Sequence, residues 1–277
     1  MFNKIIMLRS TLIIALTVST SIANASKQII NDEFMHPGGI ADIYIEKQSP
    51  LLPQIKYGIQ QPVIIEQKHF WRVLIGLGLD TVPGEYLLYV RHNIEGATSE
   101  HINFFIEQKK QPILLVEKER KKKLNITHKE LSILDYDNTQ QPNLPLNWPA
   151  NGNWNKQFGT VEYNQKNNKS DIQNHLYLET DSIINVRSPE NAIISNIVES
   201  DDGSVTVLLD HGRGLYSAIG GITDLNVDIG NGVVNGSVIG KVTPTTDPNS
   251  GKVENKILTW QNILNGIYVN PEILSKL

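Results

Sequence analysis

Residues 208–242 read LLDHGRGLYSAIGGITDLNVDIGNGVVNGSVIGKV, and this stretch decides the fold. LLDHG, LNVDIG and VVNGSVIGKV alternate like short strands rich in Val and Ile. Glycines at 212, 214, 220, 221, 230, 232, 236 and 240 punctuate them and predict tight turns rather than helix. The expectation is a compact antiparallel β-domain.

Upstream, residues 36–116 alternate in the same way. IADIYI at 40–45, PVIIE at 62–66, HFWRVLIGL at 69–77, GEYLLYVRH at 84–92, INFFIEQ at 102–108 and PILLVE at 112–117 are predicted strands. Pro37-Gly38-Gly39, Pro50, Pro53, Pro83-Gly84 and Glu95-Gly96 break the runs, a spacing that suggests an Ig-like sandwich. Between the two halves, EKERKKK at 117–123 is a charge run, most simply a solvated turn and otherwise a basic patch for acidic polymer or lipid. THKELSIL at 127–134 fits one short helix capped by Thr127 with Glu130 at the capping-box position. NTQQPNLPLNWPANG reads as extended linker.

The N-terminus has the layout of a secretory signal: Lys4 and Arg9, an apolar run from Leu12 to Val18, and Ala23-Asn24-Ala25 for cleavage before Ser26. The chain has 277 residues, 40% of them apolar, so a real core is possible. A net charge of −4 gives no pull toward nucleic acid. There is no cysteine, hence no disulfide framework and no thiol for lipidation after the leader. The expected location is the periplasm or the exterior. No nucleophile elbow, phosphate-binding loop or dinucleotide fingerprint is present.

Asp210-His211-Gly212-x-Gly214, Val227-x-x-Gly230 and Val234-x-Gly236-x-Val238-Ile239-Gly240 together resemble the LytM/lysostaphin-like zinc endopeptidases that cut peptidoglycan cross-links. Trp148-Pro149-x-x-Gly152 and Phe158-Gly159 are similar to the opening of that domain. Pro37-Gly38-Gly39-x-Ala41, Trp71-x-Val73-x-Ile75-Gly76-x-x-Leu79-Asp80 and Pro83-Gly84-x-Tyr86 look like the β-domain that precedes some members. After the signal peptide read at 1–25, the resemblance implies an all-β chain: an N-terminal Ig-like β-sandwich at 26–116, a connection at 117–147, and at 148–277 a LytM-like antiparallel groove domain of the duplicated hybrid motif type.

The resemblance also fixes where the chemistry would sit. The family carries H-x-G-[IL]-D ahead of V-x-A-P. Counting back without gaps from Pro189 of Val186-Arg187-Ser188-Pro189 puts Gln173 at the histidine and Tyr177 at the aspartate. A shift of two would recruit His175 and Glu179 instead, but only the gapless register keeps Leu176 and Leu178 as the apolar pair on the opposite strand face. Trp260 and Asn265-Gly266-x-x-Val269-Asn270-Pro271 set the closing H-x-H strand, so the two histidine positions become Ile257 and Thr259. The remaining catalytic histidine falls on Gly221.

Catalytic zinc needs three N, O or S ligands and an open position for water. Gln173, Tyr177 and Thr259 are poor replacements, and nothing at 221 or 257 shuttles protons near neutral pH. The expectation is a pseudo-peptidase without zinc, its groove lined by His175, Tyr177, His211 and Trp260, that binds peptidoglycan or regulates a cell-wall hydrolase. Zinc-free members that activate amidases carry a long coiled coil, and no sustained heptads occur here. Two alternatives stand: an active endopeptidase with a metal site rebuilt from His175, Glu179 and His211, and a structural subunit of an envelope assembly that docks on other envelope proteins.

Overall fold

The computed structural model describes residues 28–97, 99–116 and 138–277. The predicted leader, the charge run at 117–123 and the helix expected at 127–134 lie outside them. Among the described residues no helix is long and apolar enough to cross a membrane.

The first domain is a two-sheet antiparallel sandwich. Its strands are β1 (Gln28–Asn31), β2 (Ile40–Glu46), β3 (Gln54–Lys56), β4 (Val63–Glu66), β5 (Phe70–Gly76), β6 (Gly84–Arg91) and β7 (Glu100–Ile106). One sheet runs β1-β2-β5-β4 and the other β3-β6-β7. Strand β7 shows why the second sheet is one-sided: Ile102, Phe104 and Ile106 are buried while His101, Asn103 and Phe105 face out. Strands β2 and β5 are buried on both faces. Ala41, Ile43, Ile45, Val73 and Ile75 fill the sandwich core. Ile40 and Leu74, with Val63 of β4, point the other way and join the core of the second domain.

Strand β8 (Ile113–Val116) differs from expectation. It does not close the sandwich but pairs in parallel with β9 (Val161–Asn164), which pairs with β10 (Lys169–Ile172). Alternating apolar residues specify a strand, not its neighbour.

The second domain is built on a seven-stranded sheet. Its strands are β11 (Leu176–Thr180), β13 (Ala192–Glu199), β14 (Val205–Gly212), β15 (Leu215–Ile222), β17 (Gly232–Val233), β21 (Lys256–Leu264) and β22 (Ile267–Val269). The order is β11-β21-β15-β14-β13-β17, with β22 paired to β21. A small sheet of β12 (Ile184–Arg187), β18 (Val238–Val242) and β16 (Asp224–Leu225) covers it, and β19 (Thr245–Thr246) with β20 (Val253–Glu254) forms a separate hairpin. Helix α1 (Pro271–Leu274) is capped by Asn270, whose Oδ1 accepts from Glu272 N at 3.0 Å. Asn270 N in turn donates to Gly38 O of the first domain at 2.9 Å.

The opening stretch needs one correction. LYSAIGGI at 215–222 is a full eight-residue strand, whereas most of LNVDIG is irregular. Gly220-Gly221 is not a turn but part of β15, where the register shifts against Val205/Thr206. A β-bulge accommodates the extra residue.

The core between the two sheets of the second domain holds Leu176, Leu178, Val186, Leu209, Ile219, Ile239 and Leu258. At its centre Trp260 meets Trp148 at 5.1 Å and Trp154 at 6.2 Å between ring centroids, near edge-to-face. The linker read as extended has no regular structure, yet its end is anchored: Leu146 is buried and its N–H donates to Leu274 O at 2.9 Å.

Candidate functional site

Strand pairing assembles the site. In the β11–β21 ladder Tyr177 stands directly opposite Thr259, and Glu179 opposite Ile257. In the β15–β21 ladder Gly220 stands opposite Thr259. Directly opposed residues share a sheet face. Tyr177, Glu179, Ile257 and Thr259 therefore lie together, with Leu176, Leu178 and Thr180 buried on the reverse. Gln173 and His175 precede the strand rather than continue its alternation.

Each side chain is held by local hydrogen bonds. The Tyr177 hydroxyl accepts from Asn155 Nδ2 at 2.6 Å, and the backbones of the two residues form a bridge. Thr259 Oγ1 donates to Gly220 O at 3.3 Å. Gln173 is buried, and its Nε2 donates to His175 O at 3.0 Å. His175 Nδ1 lies 3.3 Å from Asn174 Oδ1. Gln261, two residues beyond Thr259 on the same face, is fully buried and donates to Asn174 O at 3.3 Å. Asn155 and Gln261 escaped the sequence reading. Asn155 is 22 residues from its partner, so no spacing signals it. Gln261 follows Ile257 and Thr259 at period two, and that signal was available.

Gly221 is the most constrained position. Its φ is +90°, and a Cβ placed there would sit 2.0 Å from Ile257 O, a backbone atom. No side chain fits without moving the β21 strand. The position that the resemblance assigns to a catalytic histidine is shaped for glycine.

His211 and Trp260 were expected to line this groove, and the structure puts both on the opposite face. Trp260 is adjacent to Thr259 in β21, so it points into the core. His211 is wholly enclosed. Its Nδ1 is 3.0 Å from Asn191 O, which can only accept, so the neutral ring carries its proton there. Nε2 lies 2.9 Å from Ser217 Oγ, whose hydroxyl donates to Asn262 Oδ1 at 2.8 Å. Burial pushes the imidazole down to about 4 from 6.5, against smaller opposing effects of the Asn191 carbonyl and Glu190. A serine hydroxyl against an imidazole is the geometry of an activated nucleophile. Here both residues are fully buried, so no substrate reaches them and the pair is structural.

The donor set does not fit zinc. It offers an amide, a phenol and an alcohol, each already engaged, where the metal wants imidazole, thiolate or carboxylate. Among the described residues no group of three or more His, Cys, Asp or Glu lies close enough to hold a metal ion. His211, on the far face, cannot join His175 and Glu179.

No protein-family model and no curated protein sequence matches the chain. Solved structures do. A Pseudomonas aeruginosa protein assigned as a peptidase M23 superposes with a TM-score of 0.63 at 21% identity, covering 87% of this chain and 95% of that one. A mutant of the catalytic domain of the prophage-encoded M23 protein EnpA from Enterococcus faecalis matches at 14% identity and TM-score 0.32, covering 48% of this chain and 95% of that one. Lysostaphin matches at 17% identity and TM-score 0.36, covering 48% and 54%. The fold is that of the LytM-like M23 peptidases, and among the described residues almost all regular structure is β.

Proposed function

We propose that this chain, built on an M23 peptidase fold, is an exported, non-catalytic cell-wall protein that holds peptide segments of peptidoglycan on the face carrying Tyr177 and Thr259. One observation supports the reading: Tyr177 and Thr259, which the resemblance assigns to ligand positions, are cross-strand partners, beside a Gly221 whose backbone excludes a side chain. Removing the metal and proton-transfer groups leaves a binding surface without a hydrolytic step. His175, Tyr177 and Ile257 are half-buried and Glu179 is exposed, so this edge is open to a ligand. A regulatory role toward a cell-wall hydrolase uses the same surface.

The test is metal analysis of purified mature protein, digestion of cross-linked muropeptides, and co-sedimentation with peptidoglycan sacculi. The expected result is zinc far below one per chain, no new peptide termini, and retention on sacculi that Tyr177→Ala weakens. Stoichiometric zinc with turnover overturns the non-catalytic reading. Retention by a periplasmic hydrolase but not by sacculi moves the function to regulation.

A further inference from the structure

A separate cleft lies elsewhere, at the junction of the two domains. It encloses about 550 Å³ between the segment at 52–64 of the first domain and two hairpin turns of the second. Arg213 comes from the β14–β15 turn and Asn265 from the β21–β22 turn. Both turns lie beyond the Leu215–Leu264 pair, five ladder steps from the Gly220–Thr259 pair, or about 17 Å along the strands. The cleft is therefore separate from the face discussed above.

Three observations give its chemistry. The side chains lining it include two cations, Lys56 and Arg213, and no carboxylate. The backbone of Arg213 is fixed before any ligand arrives: its φ is +55° and its backbone N–H donates to Asn138 O at 2.8 Å. Asn265 is fixed likewise, through Gly214 O and a side-chain bond to Gln61 O. Among the described residues the buried Nε of Arg213 has no hydrogen-bond partner. A guanidinium that enters such a cleft takes an oxyanion in a charge-assisted, forked contact. The rest of the lining mixes the amides Gln54, Gln60 and Gln61 with apolar Leu52, Ile59 and Ile64, and Ile59 stands fully exposed at its rim.

We propose that this cleft binds the C-terminal carboxylate of a short peptide, with Arg213 gripping the carboxylate, Lys56 adding charge, and the isoleucines covering an apolar side chain. The volume falls in the range of small-ligand sites at domain junctions, and an inorganic anion would leave Leu52, Ile59 and Ile64 unused.

The experiment is an NMR titration of the full mature chain with acetyl-Leu-Ala as free acid, the same dipeptide as its C-terminal amide, and inorganic phosphate. The free acid should saturate, shifting amides at 52–64, 213 and 265, and the amide should bind at least tenfold more weakly. Arg213→Gln should weaken the acid tenfold or more with unchanged near-UV circular dichroism. Arg213→Lys keeps the charge without the fork, weakens binding severalfold, and serves if the glutamine variant does not fold. Equal binding of acid and amide, or affinity indifferent to both Arg213 variants, overturns the proposal. Saturation by phosphate but not by the peptide acid overturns it in favour of an inorganic-anion site. Loss of sacculus retention through Tyr177→Ala bears on the other face and leaves this result untouched.

Discussion

At the scale of single residues, His211 makes the second domain sensitive to acid. The folded imidazole titrates at about 4, below its ordinary 6.5, because burial disfavours the cation. The unfolded chain thus binds the extra proton first as pH falls. The stabilisation is complete above pH 6.5 and is lost between there and pH 4, by about 3 kcal/mol. Urea denaturation across that window should show this slope, and His211→Gln should flatten it while lowering stability at pH 7 by about 1–3 kcal/mol. A slope that survives the substitution would assign the effect to other groups. Gly221 gives the second prediction. Gly221→Ala forces a Cβ against Ile257 O at a left-handed φ, and thermal melts should show a loss well beyond about 1 kcal/mol. The same strain blocks a histidine from being returned to this position.

Among elements, what could be read from the sequence was periodicity, and what could not was pairing. Strands β2, β4, β5, β6 and β7 all lie within or overlap their predicted runs, because each alternates or runs apolar between breakers. Strand β3 has only three residues and β1 only four, too short to carry a period. Strand β15 was missed because Gly220-Gly221 has the local chemistry of a turn, and only the sheet around it turns the pair into a bulge. At the site, counting back from Pro189 reached Tyr177, and the ladder puts it opposite Thr259. The facing of His211 was legible too: it follows Val207 and Leu209 at period two, the phase of the core. A motif match hid that phase. Strand β11 also carries a packing prediction. Leu178 is 4% exposed and sits against Gly152, where a Cβ would approach it to 2.7 Å. Leu178→Ala should cost about 2–5 kcal/mol in chemical denaturation, whereas Glu179→Ala, on the exposed face, should stay within about 0.5 kcal/mol.

For the whole molecule, the join between domains is polar as well as apolar, because a buried ion pair of the first domain reaches across it. Arg72 of β5 donates from Nε and Nη2 to both carboxylate oxygens of Asp42 at 2.8 Å, and Nη2 also reaches Leu277 O at 3.3 Å. Both side chains of the pair are almost wholly buried. Arg72→Ala strands the Asp42 charge and should cost about 3–5 kcal/mol, while the double replacement Asp42→Leu with Arg72→Met should recover most of that loss. Equilibrium unfolding of the three variants decides whether the pair or its removal by halves governs the effect. The wider consequence concerns ancestry. A sandwich sheet that keeps Ile40, Val63 and Leu74 on its back is no detachable module. Cut free at 116, it would carry an oily flank and an orphaned β8 into water and clump on a sizing column. Shuffling this front half onto a foreign enzyme would transplant that flank with it, so the two halves are constrained to diverge as a couple.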